Sequence, residues 1–161
     1  MQNTLRKALK NCSQELNEIE KIIRKNGLDS QVKYLTMYAL IKACGTIEFV
    51  FKSIIADFFK KSSIIQIHIY LEKTVREAAT SPKYNNVANL LKKFDDKWSS
   101  DFKDAMKNHP HYNRIISSMN SLVENRHQFA HGKLPTVTFR DIKNYFNDSK
   151  EFLEILDKVV K

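Results

Sequence analysis

The stretch LVENRHQFAHG, Leu122 to Gly132, gathers Arg126, His127 and His131 in a chain that has five histidines in all. An imidazole with its ordinary pKa of about 6.5 takes or gives a proton near neutral pH. A guanidinium stays charged, holds a phosphate through two hydrogen bonds and stabilises charge that develops on it. Together they suit phosphodiester chemistry on RNA, which brings its own nucleophile in the 2′-hydroxyl, so a base and a cation suffice without a metal. DNA lacks that hydroxyl and gives the pair little to act on.

The stretch closes an apolar helix predicted from Tyr112 to His131, with the stripe Tyr112, Ile115, Ile116, Met119, Leu122, Val123, Arg126, Phe129 and Ala130. Arg126 and His131 are about 140° apart on an ideal helix at roughly 100° per residue, so they converge only where the last turn loosens. Gly132 as a left-handed cap and Pro135 just beyond it are the signals that stop the helix there. Arg126 falls at a stripe position, and a guanidinium cannot discharge to escape burial, so it must meet an acid or border a polar cleft. Glu48, an acid in the most apolar part of the chain, is the expected partner.

Other readings compete for these residues. Arg126 as a structural tie to Glu48 and His131 as a cap on the helix dipole are the ordinary alternatives. His127 and His131 also stand at the four-residue spacing that can grip zinc. Further ligands would have to come from His109, His111 or an acid, with no cysteine well placed, and the expectation is no metal and no cofactor. His68 reads as a polar or core-edge residue, and the His109–His111 segment as a turn.

Three glycines and three prolines in 161 residues argue for an all-helical chain. Leu5, Leu9, Cys12, Leu16, Ile19 and Ile23 make a first amphipathic helix that ends near Gly27, with Asp29 or Ser30 capping the next. That second helix, about Ser30 to Lys61, is apolar on nearly every side and is expected to be the core element. SIIQIHIYLEKTVREAA alternates like a strand at Ile65, Ile67, Ile69 and Leu71. It is assigned to helix because a lone strand would have no partner. A loop TSPKYNN, a short helix from Asn86 to Trp98, another over SSDFKDAMKN and a turn at HPHY follow. Thr138 with Asp141 three residues on opens a last helix whose stripe is Phe139, Ile142, Phe146, Leu153, Leu156 and Val160. The expectation is one domain over residues 1–161, an all-α bundle of about six to seven helices.

Lys and Arg outnumber Asp and Glu by 27 to 18, a net charge of +9 that favours a polyanionic partner such as RNA. Cys12 and Cys44 sit at core-like positions without disulfide or metal-knuckle spacing, which suits a reducing cytoplasm. The start MQNTLRKALKNC has no apolar signal core. The Tyr34–Phe59 segment is broken by Lys42, Glu48, Lys52 and Asp57, so no membrane span is expected.

Arg126, a polar residue directly after it and His131 at the end of an apolar helix resemble the signature of the HEPN superfamily, an arginine followed by four to six residues and a histidine. The flanking valine, acid and Ala-His-Gly ending are especially similar to its RiboL-PSP-HEPN branch. The sharp resemblance covers Leu122 to Gly132, and the rest agrees in helix order. It implies a helical bundle that forms a homodimer, two such helices facing each other to make a composite, metal-independent endoribonuclease site. His131 would be the general base or acid, Arg126 the phosphate and transition-state contact and His127 the orienting residue, with Glu48 and Asn125 in support. It further implies a toxin or phage-defence effector, with an antitoxin or regulatory protein as a possible partner. Where the toxin branch paired with nucleotidyltransferase antitoxins carries a modified tyrosine, two residues after the histidine, this chain has Lys133. The alternative is a non-catalytic module that binds RNA or a nucleotide in the same cleft.

Overall fold

The computed structural model describes residues 1–26, 30–62 and 64–161, the side chains of Asn26 and Lys61 apart. Among the described residues there are seven α-helices and no strand. They are α1 (Asn3–Asn26), α2 (Gln31–Phe58), α3 (Ile65–Leu71), α4 (Tyr84–Lys92), α5 (Asp96–Lys107), α6 (Tyr112–Ala130) and α7 (Phe139–Val159). The expected stop at Gly27 and the cap at Asp29 lie outside the described residues. Ser30 takes the position before α2 but makes no side-chain capping bond.

Helix α1 buries Leu5, Leu9, Cys12, Leu16 and Ile19 against the bundle, with Ile23 half-buried where the stripe runs out. Helix α7 packs against α6, α2, α5 and α1, and all six residues of its predicted stripe are buried. Its start is fixed by a full capping box: the Thr138 hydroxyl accepts from the Asp141 N–H at 3.1 Å while the Asp141 carboxylate accepts from the Thr138 N–H at 3.1 Å.

Two boundaries differ from expectation. The helix read from Asn86 to Trp98 is broken, because the Asp95 carboxylate accepts from the Lys97 N–H at 2.8 Å and starts α5 as an N-cap, which gives Trp98 to the later helix. Tyr84 and Asn85, read as loop, join Asn86 in the first turn of α4. The ambiguous apolar segment is helical as α3, but it widens into a π turn over Glu72–Arg76, where the Glu77 N–H reaches back to the Glu72 carbonyl at 2.9 Å.

That turn is held from α2. Lys52 is only 6% exposed, and its ammonium donates to Glu48 at 2.6 Å, to the Ala78 carbonyl at 2.6 Å and to the Arg76 carbonyl at 3.3 Å. Arg76 in turn donates to Ser53 at 2.8 Å and pairs with buried Asp57. Each buried charge is therefore matched, as the low dielectric requires.

Helix α2 is not wholly enclosed. Its inner side is buried from Met37 to Ala56 and supplies much of the core, as expected, while Tyr34, Tyr38, Ile41 and Phe49 form one exposed stripe. The aromatic centre of the bundle lies elsewhere: Phe102 is fully buried, edge-on to Phe152 at 5.2 Å between ring centroids and tilted against Tyr84 at 5.8 Å. Phe102→Ala is expected to cost about 3–5 kcal/mol, measured by chemical denaturation. A loss below about 1 kcal/mol would show that this layer is not the packing centre.

Candidate functional site

The candidate residues lie where α6 leaves the bundle. Ile115, Met119, Leu122 and Val123 are buried, but beyond Val123 the helix carries no fully buried side chain. Arg126 has the phase of the apolar stripe and is nevertheless exposed, as are His127 and His131, while Phe129 is half-buried. The expected burial of Arg126 is corrected for a simple reason. Periodicity tells which side of a helix is apolar and not how far along it the neighbours reach.

Helix α6 ends in a Schellman turn. Gly132 has φ +75°, its N–H donates to the Phe129 carbonyl at 3.0 Å, and the Lys133 N–H donates to the Gln128 carbonyl at 3.0 Å. The His131 N–H is shared between the His127 and Gln128 carbonyls at 3.1 and 3.2 Å. The last carbonyls are thus satisfied by main chain, so the His131 imidazole is not needed as a cap.

The two imidazoles come together instead. The His127 and His131 rings meet edge to face with centroids 4.4 Å apart, as side chains one turn apart on a helix can. Arg126 lies close enough to α2 for its charge to act on the Cys44 thiol. The expected Arg126–Glu48 ion pair is not formed. The Glu48 carboxylate goes to Lys52, one turn on in the same helix, and among the described residues Arg126 has no ion pair. Asn125 is half-buried and donates from its side chain to the Ser121 carbonyl at 2.7 Å, which ties it to its own helix.

Two further features escaped the sequence reading. The exposed α2 stripe borders α1: Ile41 and Phe49 line a groove of about 440 Å³ with Ala8, Cys12, Lys42 and Thr46, and the Tyr38 hydroxyl donates to Glu15. Its signal was the recurrence of large apolar residues at positions 34, 38, 41 and 49 on a face separate from the buried one. Just beyond Gly132, the strap from Pro135 to Arg140 covers a second groove of about 480 Å³ whose walls include Arg24, Lys33 and Arg140.

The family model described as RiboL-PSP-HEPN matches residues 7–161. The chain belongs to this family, which fits its all-α architecture and makes it a HEPN-type domain. No curated protein and no solved structure matches the chain significantly. No helix among the described residues is long and apolar enough to cross a membrane.

Cys44 adjoins the candidate site without the character of a nucleophile. Burial pushes its thiol up to about 11, with Arg126 lowering it and Glu48 raising it less strongly. Burial likewise raises Cys12 above the usual thiol range. A raised thiol pKa means less thiolate at any pH below it, so at pH 8 about one Cys44 in a thousand is ionised. A disulfide reagent is expected to modify the denatured protein rapidly and the folded protein slowly, with the folded rate climbing as pH rises toward 11. Equal rates in the two states at pH 8 would contradict this burial.

Proposed function

We propose that the chain is a metal-independent endoribonuclease of the HEPN type, acting as a homodimer in which two α6 ends form one site. The observation that carries this reading is the pairing of His127 with His131 on an exposed helix end beside an arginine that has no carboxylate partner among the described residues. A structural arginine would be tied to an acid and a capping histidine to carbonyls, and neither arrangement occurs among the described residues. Both groups are left available for a ligand that needs a cation and a proton carrier.

In this mechanism His131 takes the proton from a 2′-hydroxyl as its oxygen attacks phosphorus. The bond from phosphorus to the 5′-oxygen breaks, and the leaving oxygen receives a proton from the second copy's His131. The products are a 2′,3′-cyclic phosphate and a 5′-hydroxyl. Arg126 holds the phosphate and offsets the charge that grows on its oxygens, and His127 orients His131. Arg24, Lys33 and Arg140, in the groove that begins three residues past Gly132, are cations that can contact further phosphates of the strand, although Glu20 and apolar side chains line the same groove. Glu48 and Asn125 act at one remove, through Lys52 and through the backbone of α6. A toxin or phage-defence role, with an antitoxin or regulatory protein as partner, rests on the family resemblance alone. Lys133 leaves no tyrosine for a modifying nucleotide at that position.

The dimer face in this reading is the α2 stripe of Tyr34, Tyr38, Ile41 and Phe49, because it is a row of large exposed side chains on one helix. Phe49→Asp is expected to give a folded monomer by light scattering and to abolish cleavage. A dimer that persists in this variant would place the interface elsewhere.

Cleavage is tested on a mixture of single-stranded and structured RNA with chelator present, reading the fragment ends. Wild type is expected to leave cyclic-phosphate ends, His131→Ala to lose at least about a hundredfold in rate, and Arg126→Ala about as much. RNA binding that depends on Arg126 without any cleavage by the wild type would replace the enzyme with a binding module.

A further inference from the structure

We propose that this domain carries a divalent metal site of the zinc class at the opposite end of α6 from the candidate active site, formed by His109, His111 and Glu151. One ligand atom from each of the three lies within 4.8 Å of the others, and this is the only such group of three among the described residues. The two ends of α6 are about 30 Å apart at 1.5 Å per residue, so this cluster is separate from His127 and His131.

The local sequence explains the convergence. His109 to Tyr112 form a tight turn closed by the Tyr112 N–H on the His109 carbonyl at 3.0 Å, with Pro110 in the second position where its fixed φ suits a type I turn. Two histidines flanking one proline in such a turn come close together, and their ring centroids are 5.5 Å apart. Helix α7 supplies Glu151 from across the interface with α6. Its Oε2 lies 3.2 Å from His111 Nδ1 and 3.9 Å from His109 Nε2. Around a tetrahedral zinc with bonds near 2.0–2.2 Å, ligand atoms stand about 3.4 Å apart, so small side-chain movements bring all three into range.

The surrounding groups have the character of an outer shell. Arg114 donates from Nη2 to Glu151 Oε1 at 2.8 Å, the oxygen not facing the histidines, and its Nε pairs with Asp148 at 3.0 Å. Asp148 also accepts from the Ser118 hydroxyl at 2.6 Å. An arginine fixed on the free oxygen of a ligating carboxylate orients that carboxylate. The local balance of Glu151, Asp148 and Arg114 is one negative charge, which favours a cation.

Two contacts give way on loading. Arg114 Nη2 releases His111 Nδ1, now 3.0 Å away, and His109 moves its proton to Nδ1, which gives up the 3.2 Å bond from the His111 N–H and frees Nε2 for the metal. Two imidazoles and one carboxylate suit zinc, cobalt or nickel better than magnesium or calcium. Three protein ligands leave a fourth position for water, and the bound ion clips the α5–α6 turn to α7.

The test is calorimetric titration of untagged, chelator-stripped full-length protein with zinc chloride, alongside the absorption spectrum with cobalt chloride. Wild type is expected to bind one ion per chain, to melt at a higher temperature with zinc present and to show a tetrahedral cobalt spectrum. His111→Ala and Glu151→Gln are expected to lose at least about tenfold in affinity while keeping wild-type helicity. The double variant His127→Ala with His131→Ala is expected to bind as wild type does. The proposal is overturned if wild type takes up no zinc, if Glu151→Gln binds as tightly as wild type, or if binding disappears only in the His127 and His131 variant.

Discussion

An ammonium taken out of water must be saturated, and the way Lys52 meets that demand organises one whole side of this protein. Its three acceptors are the Glu48 carboxylate and two carbonyls at the end of the π turn, so a single side chain anchors the irregular α3 region to α2. The same bond commits Glu48 along its own helix. Arg126, on α6, is thereby left without Glu48, and among the described residues it pairs with no other acid. The availability of the guanidinium follows from the needs of a lysine one turn away from its expected partner.

The bundle divides its labour in a second way. Helix α7 is buried along its full stripe and seals α1, α2, α5 and α6 together, whereas α2 and α6 are each enclosed over only part of their surface. For α2 the uncovered part is a lengthwise stripe, and for α6 it is the last two turns. At Cys44, on the buried side of α2, the charges of Arg126 and Glu48 act together. Helix α7, with its capping box and fully buried stripe, supplies the packing that these open parts of α2 and α6 do not.

Much of this was legible because it is local. The α1 and α7 stripes, the Thr138–Asp141 box and the left-handed Gly132 depend on residues within a few positions of one another, and they lie where their spacing indicates. The resemblance to the family too rested on one short stretch, Leu122 to Gly132, and the family model extends the match over residues 7–161. What escaped is set by distance or by coverage. The exposure of Arg126 depends on where neighbouring helices stop, and the loss of Glu48 to Lys52 on a burial that only the π turn creates. The break at Asp95 had a local cause in its capping carboxylate, obscured by apolar spacing that runs on into Trp98. Glu151 stands forty residues from His111, and no pattern within either segment announces their approach.

The Schellman turn at the end of α6 fixes the direction of His131 through main-chain bonds alone, with Gln128 and Lys133 contributing a carbonyl and an N–H and nothing from their side chains. Those two positions, and Leu134 after them, are therefore open to sequence drift. A lineage of such proteins can change the charge and bulk around the paired imidazoles, and so the molecules they meet, while the helix end that carries them keeps its geometry. The glycine is the fixed point of that freedom, because its left-handed backbone is the one feature of the turn that an ordinary residue supplies only with strain.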